Sequence, residues 1–325
     1  MDNRISYIDV TKGLLIILLI FSHTFWCFEL NHVDNPILTD LSKICSFWDC
    51  FFMACFFLIT GMCSNFNKPF LQILKSNFKS LIFPAIVFCI LFDLRKYGFG
   101  DFAVKVILKG GGFWFLSALF LSKLTVWSLN RWIYRKYLII ILLLILTVIG
   151  KCLDEFEFFP NYWYHRNYLY FTLFVSIGNI YRERILSRNV GLLATILFVF
   201  TISFLFINRL HIPFVVSQYQ ESLQEHPLTL LLSISGSITC IHICKLISKS
   251  TLLEFFGRNS LMVYIYHMLF LSTIIKAMLP FLFNSDSWKN NIILIICAVV
   301  TTLYFCSWLI WITDFKYTGW IKGRF

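Results

Sequence analysis

The N-terminal part of the chain places ionisable side chains along a segment that is otherwise apolar enough to enter a lipid bilayer. Asp9 and Lys12 precede a long aliphatic run, and His23 lies deep inside it. On an α-helix Lys12 and His23, eleven positions apart, point within about 20° of each other and differ by roughly 16 Å in height. Asp9 falls within about 40° of the same direction. Ionisable groups in membrane segments usually face a protein interior or a wet cavity, so this polar stripe predicts a functional site.

A second group of polar residues lies nearer the C-terminus. Ser260, Tyr264 and His267 share one face of a predicted helix, because they are separated by four and three positions. This face could donate hydrogen bonds to a substrate, or it could be a packed network between helices. Asp49 and Lys123 also lie inside predicted helices, where a buried ion pair between them would explain both.

The composition identifies a membrane protein. Hydrophobic residues make up 58% of the chain, charged residues 14%, and the mean hydropathy is +0.75, which is too apolar for a soluble domain of 325 residues. The net charge of +11 is spread between apolar runs without a nucleic-acid motif, so nucleic acid is not an expected partner. The eleven cysteines are expected to act as small hydrophobes, although Cys45 and Cys152 could pair in an oxidising compartment.

The spacing of the apolar runs predicts the architecture. A bilayer core of about 30 Å needs about twenty apolar residues per helix. The segments that meet or approach this length lie near 8–28, 45–64, 78–94, 112–130, 137–151, 167–182, 190–208, 227–247, 260–282 and 291–313. We therefore predict an all-α polytopic membrane bundle of about ten transmembrane helices, forming a single domain over residues 1–325. The first segment is expected to be a retained helix and not a removed signal peptide.

The distribution of basic residues predicts the orientation. Of the 28 Lys and Arg residues, sixteen fall in loops on the side of the N-terminus and ten on the opposite side. Since cytoplasmic loops carry the excess of Lys and Arg, both termini are predicted to be cytoplasmic.

Several motifs, in order along the chain, together resemble the integral-membrane acyltransferase 3 family. They lie at 4–23, with Arg4, Tyr7-Ile8-Asp9, Lys12-Gly13 and His23; at 56–61, similar to the family's FF-x-(I/L)-S-G segment; at 75–84; at 112–120; and at 256–267, similar to G-x-x-S-L-x-x-Y-x-x-H. The subgroup that the chain most resembles contains fucose 4-O-acetylases and related sugar O-acetyltransferases. Lys12 stands where the family often has Arg. Phe52-Met53-Ala54 stands where the subgroup often has His-Met-Pro, which leaves His23 as the candidate base.

The resemblance implies an enzyme that transfers an acyl group, usually acetyl, from a cytoplasmic coenzyme A thioester to a hydroxyl of a cell-envelope saccharide. A sugar hydroxyl is a poor nucleophile until a base removes its proton, and histidine can accept a proton in the physiological pH range. The catalytic candidates are His23, Lys12 and Asp9, where Asp9 is too far along the helix to reach His23 and is expected to pair with Lys12 or Arg4. An interhelical hydrogen-bonding role for His23 is the competing interpretation.

Further residues receive roles from the same resemblance. Coenzyme A carries phosphates, so Arg4, Lys75 and Lys79 are candidates for binding the donor, although the positive-inside rule also explains them. The candidates for binding the acceptor or the acyl group are His267, Tyr264, Ser260, Trp114 and Ser117.

The expected setting is the bacterial cytoplasmic membrane, with acetyl coenzyme A as donor substrate and no tightly bound cofactor. The aromatic run at 161–168 could stack on a sugar acceptor or belong to an interfacial aromatic belt. A different class of function, export or flipping of a glycan or a lipid-linked saccharide, would use the polar stripe as a translocation path. The residues leave open the acceptor, the acyl chain and the oligomeric state.

Overall fold

The structure is a computed structural model that describes residues 5–31, 35–88, 114–155, 165–208, 210, 212, 225–282 and 287–313. These residues contain α-helices, one π-helical segment and no strand. The α-helices are α1 (Ser6–Leu30), α2 (Pro36–Asp49), α3 (Phe52–Cys63), α4 (Phe70–Asn77), α5 (Phe83–Phe88), α6 (Trp114–Trp132), α7 (Lys136–Glu155), α8 (His165–Ile185), α9 (Arg188–Ile207), α10 (His226–Ile247), α11 (Thr251–Arg258), α12 (Ser260–Leu282) and α13 (Trp288–Thr313). The π-helical segment, Phe78–Ile82, joins α4 to α5.

Six segments of the described chain are long and apolar enough to cross a bilayer. They are Ser6–Phe28, Pro36–Cys63, Arg188–Ile207, His226–Ile247, Ser260–Pro280 and Trp288–Thr313. The chain is therefore an integral membrane protein, and the all-α class is confirmed for the residues described. The larger number of about ten spans and the cytoplasmic location of both termini stay predictions.

Two helices with side-chain caps begin or lie where the apolar pattern predicts none, and the uncapped α4 also lies outside the predicted segments. The predicted segment 45–64 is preceded by about two and a half turns of helix, because α2 starts at Pro36, whose ring suits the first helical position. Asn35 caps it, since its side-chain oxygen accepts hydrogen bonds from the backbone N–H groups of Ile37 and Leu38. The short helix α11 occupies a predicted loop, where Ser250 accepts a hydrogen bond from the N–H of Leu253 at its start. These helices depend on caps and on packing more than on apolar length.

The chain forms two compact units. The first consists of Met1–Met53, Leu192–Val215 and Leu231–Phe315, and the second of Ala54–Gly191, Val216–Leu230 and Lys316–Phe325. The first unit has a core built by α1, α2, α12 and α13, with the buried side chains Phe25, Cys27, Phe28, Leu38, Leu41, Cys45, Leu271, Ile275, Ile295 and Ala298. This core fixes α1 against α12 in the stretch that follows their histidines. The single domain over residues 1–325 stays a prediction.

The second unit contains a tight contact between α3 and α8. A Cβ at Gly61 would overlap the carbonyl oxygen of Val175, and a Cβ at Gly178 would overlap that of Leu58. Small residues at a helix crossing allow the backbones to approach this closely. Beside the crossing, the ring of Phe57 stacks on that of Phe171 with their centroids 4.4 Å apart.

The two cysteines that could have formed a disulfide are both free thiols. Cys45 is buried in the core of the first unit, and Cys152 lies on α7 in the second unit. The alternative of a disulfide between them is therefore wrong, and Cys45 behaves as the small hydrophobe that its apolar setting predicts.

Candidate active site

The first unit brings together two of the predicted site residues, His23 of α1 and His267 of α12. Their ring centroids are 4.9 Å apart and their planes meet at 67°. His23 is half-buried, whereas His267 is only 2% exposed. The structure thus supplies a second histidine next to the candidate base. It comes from α12, near the C-terminus, and not from the segment of Phe52, where the subgroup often has a histidine.

The backbone fixes the tautomer of both rings. Nδ1 of His23 lies 2.9 Å from the carbonyl oxygen of Leu19, and Nδ1 of His267 lies 2.7 Å from that of Tyr264. A carbonyl oxygen only accepts, so Nδ1 must carry the proton in both residues. In the neutral rings the lone pair is then on Nε2. Nε2 of His267 is buried and makes no hydrogen bond to any described residue.

Aromatic rings frame the histidine pair. The ring of Trp26 meets His23 edge to face at 5.8 Å between centroids, and Tyr264 lies at the same distance from His267 on the preceding turn of α12. Ser260, by contrast, begins α12 two turns before His267, so roughly 10 Å of helix rise separates them. Tyr264 therefore adjoins the histidine pair and Ser260 does not.

Two glycines seat α1 on α11, which leads into the helix of His267. A Cβ at Gly13 would overlap the carbonyl oxygen of Leu253, and a Cβ at Gly257 would overlap that of Asp9. Both glycines belong to segments that carry the family resemblance. Their function here is steric, because only glycine lets two backbones approach so closely.

An ion pair strengthens the same contact. The carboxylate of Asp9 is nearly buried, and Nε of Arg258 donates a hydrogen bond to its Oδ2 at 3.4 Å. Arg258 also donates to Glu254 at 2.6 Å. The expectation that Asp9 pairs with Lys12 is wrong, since Arg258 occupies that place; Arg4, the other expected partner, lies outside the described residues. Asp9 thus holds α1 to α11. It is separated from His23 by about 21 Å of helix rise along α1.

Lys12 differs from the other described basic residues of the first unit, which are exposed. It is half-buried one turn beyond Asp9, and it forms no ion pair with a described residue. The helical separation of roughly 16 Å from His23 remains, because α1 is continuous over this stretch. A half-buried ammonium group without a carboxylate partner is suited to an anionic group of a ligand.

A polar network lies on the turn of α1 that carries His23. The hydroxyl of Ser22 donates to Oδ1 of Asp49 at 2.5 Å, and Nε1 of Trp48 donates to Oγ of Ser22 at 2.9 Å. Asp49 thus accepts a described hydrogen bond from Ser22, and its predicted ion pair with Lys123 stays a prediction. Sequence reasoning missed the roles of Ser22 and Trp48. Each has a polar side chain and lies beside a residue of the predicted site or ion pair, Ser22 beside His23 and Trp48 beside Asp49. That proximity is the signal that could have identified them.

Trp114 and Ser117 belong to the second unit. The indole of Trp114 lies against the ring of Phe171, 5.8 Å between centroids, and Ser117 is buried on the same helix, α6. They therefore adjoin the aromatic core of that unit. Their assignment to substrate binding stays a prediction.

The two lysines of the second unit that were predicted to bind the donor do not line its polar cavity. Lys75 and Lys79 are exposed on α4 and on the π-helical segment. A neighbouring cavity of about 190 Å³ is lined instead by Lys68 and Lys123, with Cys63, Ser64, Asn65, Phe66, Gln72, Ile73, Ser76 and Asn77. The aromatic run at 161–168 falls mostly outside the described residues.

The fold and the site together define a class: an integral membrane protein of α-helices that holds a pair of histidines inside two of its spanning segments. The family model described as "Acyltransferase domain", acyltransferase 3, matches residues 5–311. The chain belongs to this family. A comparison with curated proteins finds no match, and neither does a comparison with solved structures. The chain is thus a membrane acyltransferase, and the resemblance to fucose 4-O-acetylases stays a prediction.

Proposed function

We propose that the protein is an O-acetyltransferase that moves an acetyl group from acetyl coenzyme A to a hydroxyl of a cell-envelope saccharide. The observation that carries the proposal is the pair of His23 and His267. In each ring a backbone carbonyl accepts the Nδ1 proton, so the basic lone pair is on Nε2. A sugar hydroxyl becomes a competent nucleophile when such a base removes its proton.

The two histidines have different roles because their exposure differs. His23 is the half-buried one and acts as general base: its Nε2 takes the proton of the acceptor hydroxyl as the hydroxyl oxygen attacks the thioester carbonyl carbon. The tetrahedral intermediate collapses, the carbon–sulfur bond breaks, and the protonated His23 returns the proton to the leaving thiolate. His267 stays neutral, packs against His23 and lines the reaction cavity. Direct transfer needs no acyl-enzyme intermediate.

The charged residues of α1 divide into two roles. Lys12 binds a phosphate of the donor, since it has no described carboxylate partner. Asp9 does not touch the reactants and positions α1 through Arg258. Arg4, Lys75 and Lys79 remain proposed donor ligands on account of their charge, as do Trp114, Ser117, Tyr264 and Ser260 for the acceptor or the acyl group.

The proposed topology brings the two substrates from opposite sides. About ten helices cross the bacterial cytoplasmic membrane with both termini in the cytoplasm, where acyl coenzyme A is made. Lys12 then lies toward the cytoplasmic end of α1. His23, roughly 16 Å further along, lies near or beyond the middle of the bilayer. The thioester reaches His23 from the cytoplasmic side, and the saccharide approaches from the other.

The test is transfer of label by the full-length protein in detergent. With [¹⁴C]acetyl coenzyme A and methyl α-L-fucopyranoside, alongside other methyl glycosides, we expect labelled sugar and free coenzyme A in equal amounts. Calorimetry with coenzyme A separates this function from export of a glycan, since an exporter has no reason to bind that ligand. Absence of both binding and transfer across the acceptor panel would contradict the proposal.

A further inference from the structure

Asp49 places an ionisable carboxyl group where the fold offers little compensation for a negative charge. It lies inside the membrane-spanning segment Pro36–Cys63, where a carboxylate is costly. It is also the last residue of α2, and the negative end of the helix dipole disfavours an anion there. No cation pairs with it among the described residues. An ionisable side chain in a spanning segment, without a described cation, is a candidate for binding a ligand.

The hydrogen bonds of Asp49 hold one of its oxygens and leave the other available. Oδ1 accepts the hydroxyl proton of Ser22 at 2.5 Å, and Trp48 fixes that hydroxyl by donating to its oxygen at 2.9 Å. Oδ2 receives no hydrogen bond from any described residue, and the side chain is half-buried. The carboxylate is therefore oriented by two neighbours while one strong acceptor can still take a ligand donor.

The position of this acceptor relates it to the proposed base. Ser22 and His23 are consecutive on α1, so their Cα atoms are about 3.8 Å apart and their side chains diverge by about 100°. The carboxylate held by Ser22 and the imidazole of His23 thus lie on adjacent sides of one helical turn. A sugar ring carries several hydroxyls, so one can lie at the imidazole while another reaches the carboxyl group.

We propose that Asp49, oriented by Ser22 and Trp48, binds a second hydroxyl of a polyol acceptor while His23 acts on the hydroxyl that receives the acyl group. The inference rests on the proposed function, because it needs His23 to act on an acceptor hydroxyl. It makes Asp49 the residue that selects saccharides with a second hydroxyl over simple alcohols. Donor binding does not involve it.

The test compares Asp49→Asn with the wild type under steady-state conditions, using methyl α-L-fucopyranoside and its monodeoxy analogues. Loss of a hydrogen bond to a charged acceptor should raise the acceptor KM roughly ten- to a hundred-fold. The KM for acetyl coenzyme A should stay within about two-fold of the wild type. For one deoxy analogue the wild type and the variant should have equally high KM values, because that analogue lacks the hydroxyl that the carboxylate binds. A merely structural role would not produce that match.

Two controls keep the test decisive. Asp40→Asn removes an exposed carboxylate of the same helix, paired with Lys43 at 2.7 Å, and should leave both KM values unchanged. If Asp49→Asn fails to fold, Ser22→Ala keeps the charge but removes its anchor, and it should raise the acceptor KM by a smaller factor.

The outcomes separate this inference from the proposed function. An unchanged acceptor KM in the folded Asp49→Asn protein, or in Ser22→Ala where that variant replaces it, overturns the inference while transfer by His23 stands. Absence of acetyl transfer by the wild type, with every acceptor, overturns the proposed function and the inference with it.

Discussion

Replacing Gly257 with alanine should destabilise the protein and reduce transfer, because this glycine is where α11 touches α1. An added Cβ would overlap the carbonyl oxygen, carbonyl carbon and Cα of Asp9. These are backbone atoms, so no side-chain rotation relieves the overlap and the two helices must separate. Overpacking of this kind costs about 1–3 kcal/mol. At roughly 2–4 °C per kcal/mol, the melting temperature should fall by a few degrees or more.

The matched control is Gly150→Ala in α7. A Cβ there would meet only Cδ1 of Leu169, at 3.9 Å, which is an ordinary contact. Alanine should then stabilise the helix by about 0.5–1 kcal/mol. Thermal unfolding in detergent, followed by tryptophan fluorescence, measures both variants, and acetyl transfer should fall only in Gly257→Ala. A melting temperature that rises equally in both variants would refute the steric argument.

Two further variants test the donor site and a strained turn. Lys12→Gln should weaken binding of coenzyme A roughly ten- to a hundred-fold in calorimetry, because one charge-assisted contact to phosphate is lost. The control variant Lys43→Gln, at an exposed lysine, should bind coenzyme A as tightly as the wild type. Equal affinities in the two variants would remove Lys12 from the donor site. Ser248 has a φ of 54°, in the left-handed region, so Ser248→Gly should raise the melting temperature by relieving about 1 kcal/mol of strain; a lowered melting temperature would show that the serine side chain contributes more than its backbone costs.

Helical periodicity predicted the directions of the site residues but not all of their partners. It placed Lys12, His23 and Asp9 on one stripe of α1, and the structure puts His23 against a helix that carries a second singled-out histidine, His267. Direction on a helix follows from residue spacing alone. Which helix faces the stripe depends on tertiary packing. The pairing of Asp9 with Arg258, 249 positions away, could not be obtained from local pattern.

The fold was predictable to a similar extent. Apolar length identified six spans that the structure bears out, because the bilayer imposes a minimum length on them. It missed the start of α2, where Asn35 and Pro36 supply a cap and a first turn, and it missed α11, whose eight residues are too few for a span. Both were visible as capping residues before short amphipathic stretches, a signal that apolar length ignores.

In the proposed mechanism His23 acts as the general base of acetyl transfer. The most direct measurement is the transfer rate from [¹⁴C]acetyl coenzyme A in His23→Ala, compared with His242→Ala, which removes a half-buried histidine from another spanning helix, α10. General base catalysis contributes about 10²–10⁴-fold, so the first variant should lose at least a hundred-fold in rate while it still binds coenzyme A, and the second should keep nearly full activity. Normal turnover by a folded His23→Ala protein would contradict the role of His23 as general base.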